Sequence, residues 1–252
     1  MNYMGGKHRQ GKHIAAVVQP YLTEGITYYE PFCGSMSSAV RVTEGINESV
    51  AVVLSDVQPP LIRMWQALLF EGWKPPKRDI DEAEYLRLKS KKDANDPLTA
   101  YAGYGLSFGA SYFNTYARSK TLPVKTYVAK FNGQIRRGVE KKRDALLKIP
   151  NLLVECCGYE SYEGTKGGVF YLDPPYKERL IPYGDIKSFD HVKFWDFARR
   201  LSKDNVVFVT EYLAPEDWVA VHEFGDTVVR HYMGKGKDAT NECIWMHPDG
   251  KQ

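Results

Sequence analysis

At 252 residues, 43% hydrophobic and 26% charged, the chain has the size and composition of one soluble α/β domain with an insertion, or of two small domains. No stretch nears the ~18 consecutive apolar residues of a membrane span; the start lacks a secretory apolar core; and Cys33, Cys156, Cys157 and Cys243 include no Cys-x-x-Cys pair, which speaks against a disulfide framework or a zinc site and for the cell interior. The net charge of +3 conceals an asymmetry: residues 111–150 hold ten Lys or Arg against two acids, a net of +8, and leave −5 for the rest, the footprint of a polyanion site on an acidic body.

In chain order, Ile14, Ala15, Val17, Val18 and Leu22 predict a helix over 11–22. A short strand over 26–30 runs into the turn Pro31-Phe32-Cys33-Gly34-Ser35, with a helix expected from Ser37 to Val42. The apolar run 50–54 reads as a buried parallel strand ending at Ser55-Asp56, and 59–70 as a helix with proline in its first turn. This is the opening half of a doubly wound, mostly parallel α/β sheet. The pattern then breaks. A polar helix is expected near 81–92, and 100–131 is crowded with aromatics separated by Gly103, Gly105 and Gly109. Ile135, Val139, Leu146 and Ile149 fit one face of a helix whose other face is basic. Alternation resumes with strands at 152–156 and 169–172, a helix at 191–201 and a strand at 206–210; segments 226–230 and 243–247 are expected to close the sheet as an antiparallel pair. The expected organisation is a catalytic domain of residues 1–70 plus 151–252, interrupted by a mostly helical target-recognition insertion at 71–150.

Three strand ends carry chemistry, where open parallel sheets bind ligands. The first is Glu30-Pro31-Phe32-Cys33-Gly34-Ser35, whose glycine lets a ligand approach the backbone. The second is Asp56, about 20 residues on, placed to accept hydrogen bonds from ribose hydroxyls or simply to cap the following helix. The third is Asp173-Pro174-Pro175-Tyr176. A carboxylate, a rigid turn, a carbonyl and an aromatic face together suit a planar amino-heterocycle whose exocyclic amine gives up hydrogen bonds. That points to methyl transfer onto a nucleobase nitrogen. The competing reading is an ordinary proline-rich turn. In the basic segment, Phe113-Asn114-Thr115-Tyr116-Ala117-Arg118 is the candidate base-reading stretch, since Asn pairs with adenine and Arg with guanine in the major groove. Asn114, Tyr116, Arg118, Lys120, Lys125, Arg136 and Arg137 are the candidate nucleic-acid contacts, and a packing or phosphate role stands beside each. Lys235-Gly236-Lys237 reads as a turn within reach of phosphate.

Together these motifs resemble the Dam-like family of adenine-specific DNA methyltransferases, which use S-adenosylmethionine. Tyr3-Met4-Gly5-Gly6-Lys7 resembles the family's aromatic-x-Gly-Gly-Lys segment, in which the aromatic and the lysine approach the cofactor. Glu30-Pro31-Phe32-Cys33-Gly34-Ser35 resembles its cofactor loop, Asp56 its ribose-binding acid, and Glu160-Ser161-Tyr162 a segment at the adenine end of the pocket. The resemblance spans nearly the whole chain. It implies Asp173 and the Pro174 carbonyl gripping a flipped adenine, Tyr176 stacking on it, Asp173 also bordering the cofactor, duplex DNA as partner, no metal, and a chain that acts as a monomer or weak dimer. One position departs: Met36 stands where the family has a second glycine, and its side chain is expected to crowd the methionine end of the cofactor or tilt the loop. Two other readings remain open here, a cytosine-amine or RNA-base methyltransferase, and a DNA-binding relative without catalysis.

Overall fold

The computed structural model describes residues 6–118, 123–176, 189–225 and 241–250, with the side chains of Ala110 and Lys125 set aside. Seven strands form one sheet in the order β3-β2-β1-β4-β5-β7-β6, comprising β1 (Thr27–Glu30), β2 (Ala51–Ser55), β3 (Leu152–Glu155), β4 (Gly168–Leu172), β5 (Val206–Glu211), β6 (Val219–Glu223) and β7 (Cys243–Met246). Among the described strands only β7 runs against its neighbours, pairing antiparallel with both β5 and β6. The expected antiparallel closure by 243–247 has Val219–Glu223 as a partner; the expected strand at 226–230 lies outside the described residues. β6 is mostly exposed and at the sheet edge, so no buried apolar pattern marks it in the sequence.

β4 shows why the sheet must be covered on both faces. All five of its residues are buried, and successive side chains serve different cores. Val169 and Tyr171 join the core made with α1 (Gly11–Val18), α2 (Ser37–Val42) and α3 (Pro59–Phe70). Phe170 and Leu172 join the opposite core, against Phe194, Phe197, Ala198 and Leu201 of the seventh helix, His191–Leu201. That helix begins where the Asp190 carboxylate accepts from the Lys193 N–H at 3.0 Å.

Among the described residues, 71–150 add three α-helices, α4 (Glu82–Lys91), α5 (Pro97–Gly105) and α6 (Val124–Leu146), making His191–Leu201 α7. α5 lies in the aromatic stretch, where the residue pattern predicts no helix. Asp96 caps it and Pro97 opens it, and Gly103 is used for packing: a Cβ there would sit 2.5 Å from the Tyr112 ring. Asn132 of α6 ties this unit together, its Oδ1 accepting from the Ile80 N–H at 3.1 Å.

Candidate active site

The chain turns from one half of the sheet to the other between β1 and β4, which are direct neighbours. Their C-terminal ends, with that of β2, surround a cavity of about 250 Å³. Its walls come from Pro31–Ser35 after β1, Asp56 after β2, Gly158–Glu160 after β3 and Asp173–Tyr176 after β4, with Lys7 and Phe189 closing it. The chain thus brings its three expected strand ends to one topological switch point.

Asp56 is held from both sides. Its Oδ2 accepts from the Gly34 N–H at 3.1 Å and its Oδ1 from the Gln58 N–H at 3.0 Å. Burial nevertheless pushes its pKa up to about 6. Phe32 and Tyr159 stack at 5.6 Å to form an aromatic wall beside it. At Gly158 a Cβ would lie 2.8 Å from Glu160 Oε2, so the backbone there stays open. An acid with fixed oxygens, an aromatic slot, and bare backbone at Gly34 and Gly158 are the parts that could hold a nucleoside with a charged tail.

Not every expected cofactor residue reaches the cavity. Tyr3 lies outside the described residues. Glu30 is fully buried behind the loop, where its carboxylate accepts from the Tyr28 hydroxyl at 2.7 Å and from Ser38. Burial raises its pKa to about 8, against the pull of those two hydroxyls. It braces the loop and does not line the cavity. The segment after β3 is also displaced from expectation: Gly158, Tyr159 and Glu160 face the cavity, whereas Ser161 is exposed outside it and Tyr162 is buried, giving its hydroxyl to Ser55 at 2.9 Å. Tyr159–Tyr162 wind as a single 3-10 turn, so these residues cannot all face one way.

Met36 corrects another expectation. It takes the left-handed backbone that a glycine would supply, φ 57°, at the entry to α2. Its side chain is wholly buried in the main core and is absent from the cavity wall. It crowds nothing there. Met36→Gly should therefore relax the backbone yet lose a buried side chain, a net destabilisation of about 1–3 kcal/mol in urea titration. Cofactor affinity should stay within about threefold of the parent.

Around Asp173 lies a buried ionic cluster that the sequence did not disclose in full. Lys7 Nζ is 2.8 Å from Asp173 Oδ1 and 3.0 Å from Glu242 Oε1. The Tyr176 hydroxyl accepts from Lys7 and lies between Glu242 and Asp173 Oδ1, the latter at 3.1 Å. Gln10 donates to the other oxygen of Glu242. Burial raises the Asp173 pKa from its ordinary value, with Lys7 pulling it back. Burial works against the Lys7 ammonium too, but Asp173 and Glu242 together outweigh it and hold it charged. Glu211, at the end of β5, is driven up to about 8 by burial. Both contacts to Asp173 fall on Oδ1, so among the described residues Oδ2 is left to accept from a ligand.

The candidate nucleic-acid residues divide. Asn114 and Arg118 are exposed, Arg118 paired with Glu82, and Arg137 is exposed on α6. Tyr116 does not present a reading face: it is buried and gives its hydroxyl to the Ile80 carbonyl at 2.8 Å. Phe113 is buried as well. Arg136 donates to the Lys77 carbonyl at 2.8 Å and so clamps the approach to α4. Lys120 and Lys235-Gly236-Lys237 lie outside the described residues, and the Lys125 side chain is undescribed.

The sheet is Rossmann-like and mostly parallel, with an antiparallel penultimate strand and a strand-end cavity at its switch point. Residues 3–105 match the family model of D12 class N6 adenine-specific DNA methyltransferases, in keeping with the Dam-like resemblance. Among solved structures, it is similar to a candidate rRNA methylase from Clostridium thermocellum, with 9% identity over 98% of each chain and a TM-score of 0.44. It is also similar to the candidate methyltransferase yhhF from Escherichia coli, with 11% identity over 95% of this chain and 84% of that one, TM-score 0.40. A third, SMU.472, a candidate methyltransferase complexed with SAH, is 11% identical over 94% of this chain and 52% of that one, TM-score 0.35. No curated protein matches the chain. Among the described residues no helix is long and apolar enough to cross a membrane, and no group of three or more His, Cys, Asp or Glu could hold a metal ion.

Proposed function

We propose that the chain transfers a methyl group from S-adenosylmethionine to the exocyclic amine of adenine in duplex DNA, after rotating the base out of the stack. The observation that carries this reading is the open Oδ2 of Asp173 on the wall of the strand-end cavity, beside the backbone of Pro174. The adenine amine is a poor nucleophile because its lone pair is delocalised into the ring. Asp173 Oδ2 accepts one N–H and the Pro174 carbonyl the other, and both interactions strengthen as positive charge grows on nitrogen. The raised pKa of Asp173 suits it to take the proton released afterwards. Tyr176, anchored through its hydroxyl, offers a fixed ring at the same wall. When bound, the sulfonium cofactor supplies the electrophilic methyl, and the residues around it supply alignment.

In this reading Asp56 holds the cofactor ribose, Lys7 and Phe32–Ser35 border its tail, and Glu160 stands at the base end. Residues 71–150 form the recognition unit, with Asn114, Arg118 and Arg137 as its exposed contacts and Lys120 and Lys125 as further phosphate contacts. Base flipping costs a few kcal/mol, which those contacts must supply.

The reading is tested by incubating the protein with methyl-tritiated S-adenosylmethionine and duplex DNA, hydrolysing the product and identifying the labelled base. Label in N6-methyladenine supports it; label only in cytosine, or only when RNA replaces DNA, overturns it. A pH dependence accompanies it. Asp56 must be ionised to accept from ribose hydroxyls, and its pKa lies near about 6. Cofactor affinity should therefore hold above that pH and fall as the pH drops through it, approaching about tenfold per unit. Equilibrium dialysis across pH 5–8 checks this, and Asp56→Asn should bind weakly with a flat profile.

A further inference from the structure

The cofactor loop is fastened at four points. The Gly34 N–H donates to Asp56, and the Gly34 carbonyl accepts from the Trp65 indole at 3.1 Å. Ser38 is tied to Glu30. Those three fasteners come from the strands and helices of the sheet body. The fourth comes from a distance of more than a hundred residues: Lys142, on α6, donates to the Ser35 carbonyl at 2.6 Å and to Ser37 Oγ at 2.7 Å. Ser35 and Ser37 are themselves 2.9 Å apart through their hydroxyls, and both line the cavity.

The residue between them is Met36, the left-handed one. A non-glycine residue at φ 57° strains the backbone by about 1–2 kcal/mol and needs its flanks held. One ammonium grips both flanks. Lys142 is otherwise an unusual choice for that place: it sits in the run Lys141-Lys142-Arg143, where its two neighbours stay out of the loop, and burial lowers its pKa to about 8 with Glu30 opposing. It remains mostly charged at pH 7, so the two hydrogen bonds are charge-assisted.

We propose that Lys142 is a positioning residue that pins the strained Ser35-Met36-Ser37 turn, and that it places the shape of the cofactor pocket under the control of α6 in the recognition segment. This rests on the reading of the cavity as a cofactor site. Because α6 also carries the exposed Arg137 and Lys141, any polyanion that shifts α6 would change cofactor affinity, and cofactor would change polyanion affinity by the same factor.

The test is a four-member series: the parent, K142M, M36G and the double variant K142M/M36G. Their binding of S-adenosylmethionine is followed by titration calorimetry, with circular dichroism to confirm that each is folded. The expected result is that K142M binds at least about tenfold more weakly than the parent, within the usual range of coupling between sites. A glycine in place of Met36 removes the strain, so adding K142M to M36G should cost less than about threefold. If the parent fails to bind the cofactor, the reading of the cavity fails and the inference with it. If the parent binds and K142M binds equally well, Lys142 pins nothing that matters and only this inference falls. Should K142M cost as much in the M36G background as in the parent, the lysine acts by charge alone and the pinning role is overturned. K142R serves if K142M does not fold, since its fork cannot reproduce one ammonium's double grip, and affinity equal to the parent's would overturn the proposal in the same way.

Discussion

Asp173→Ala is expected to lower single-turnover methyl transfer to duplex DNA by about 10³-fold or more, with cofactor affinity changed by less than about tenfold. The size follows from where the carboxylate acts. It accepts from an amine that becomes a better donor as the reaction proceeds, so its loss falls on the transition state more than on either bound ligand. The fold should survive, because Lys7 keeps Glu242 at 3.0 Å as its partner and Tyr176 keeps Glu242 too. Asp173→Asn should fall between, since an amide oxygen can still accept but carries no charge and takes no proton. Rapid-quench measurement with labelled cofactor checks the series. Transfer by Asp173→Ala within about tenfold of the parent would remove Asp173 from the chemistry.

Lys7→Met should destabilise the protein by about 3–5 kcal/mol, more than any other single change considered, because it leaves acids buried without their cation. Lys7 is 4% exposed, and so is the Glu242 side chain. The loss should depend on pH in a defined direction. Without the ammonium, Asp173 is raised further above its unfolded value of 3.8, so the folded variant binds more protons than the unfolded chain across that interval. The penalty is absent below the unfolded value, opens as pH rises, and is complete above the folded one. Urea unfolding at pH 5 and pH 8 should therefore show a smaller gap between variant and parent at pH 5. A gap equal at both values would mean that the cluster is not a buried charge pair. Replacing Glu242 by Gln should cost less, since one acid then remains for one cation.

Much of this architecture is legible in residue order alone. The apolar runs of β2, β4 and β5 are continuous because both faces are covered, and the turns after β1 and β4 announce themselves through Pro31, Gly34 and Pro174-Pro175. What escapes is whatever depends on distant chain crossings. Glu242 comes to Tyr176 across 66 residues because β7 slots between β5 and β6, and nothing near Asn241-Glu242-Cys243 advertises an ionic role. Lys142 looks like one more solvated cation in a basic run, and only the packing of α6 on α2 turns it inward. Tyr116 errs in the opposite sense. Aromatics near basic residues suit a reading surface equally well whether they face out or in, and the bridge between Ser107 and Tyr116 decides it. Glu30 carries the family pattern yet stands behind the pocket, because the chain turns at Pro31 before the wall begins.

Met36 bears on how this kind of pocket tolerates change. The turn demands a torsion angle, and the customary glycine is merely the least costly way to meet it. Here a bulky thioether meets the same demand by sinking away from the ligand, into the sheet's interior. A search written in residue letters that insists on two glycines would pass over such a chain, whereas one written in backbone angles would retain it. Relatives with other apolar residues at this place should accordingly carry a cation opposite it, and those with glycine should be free to lose one.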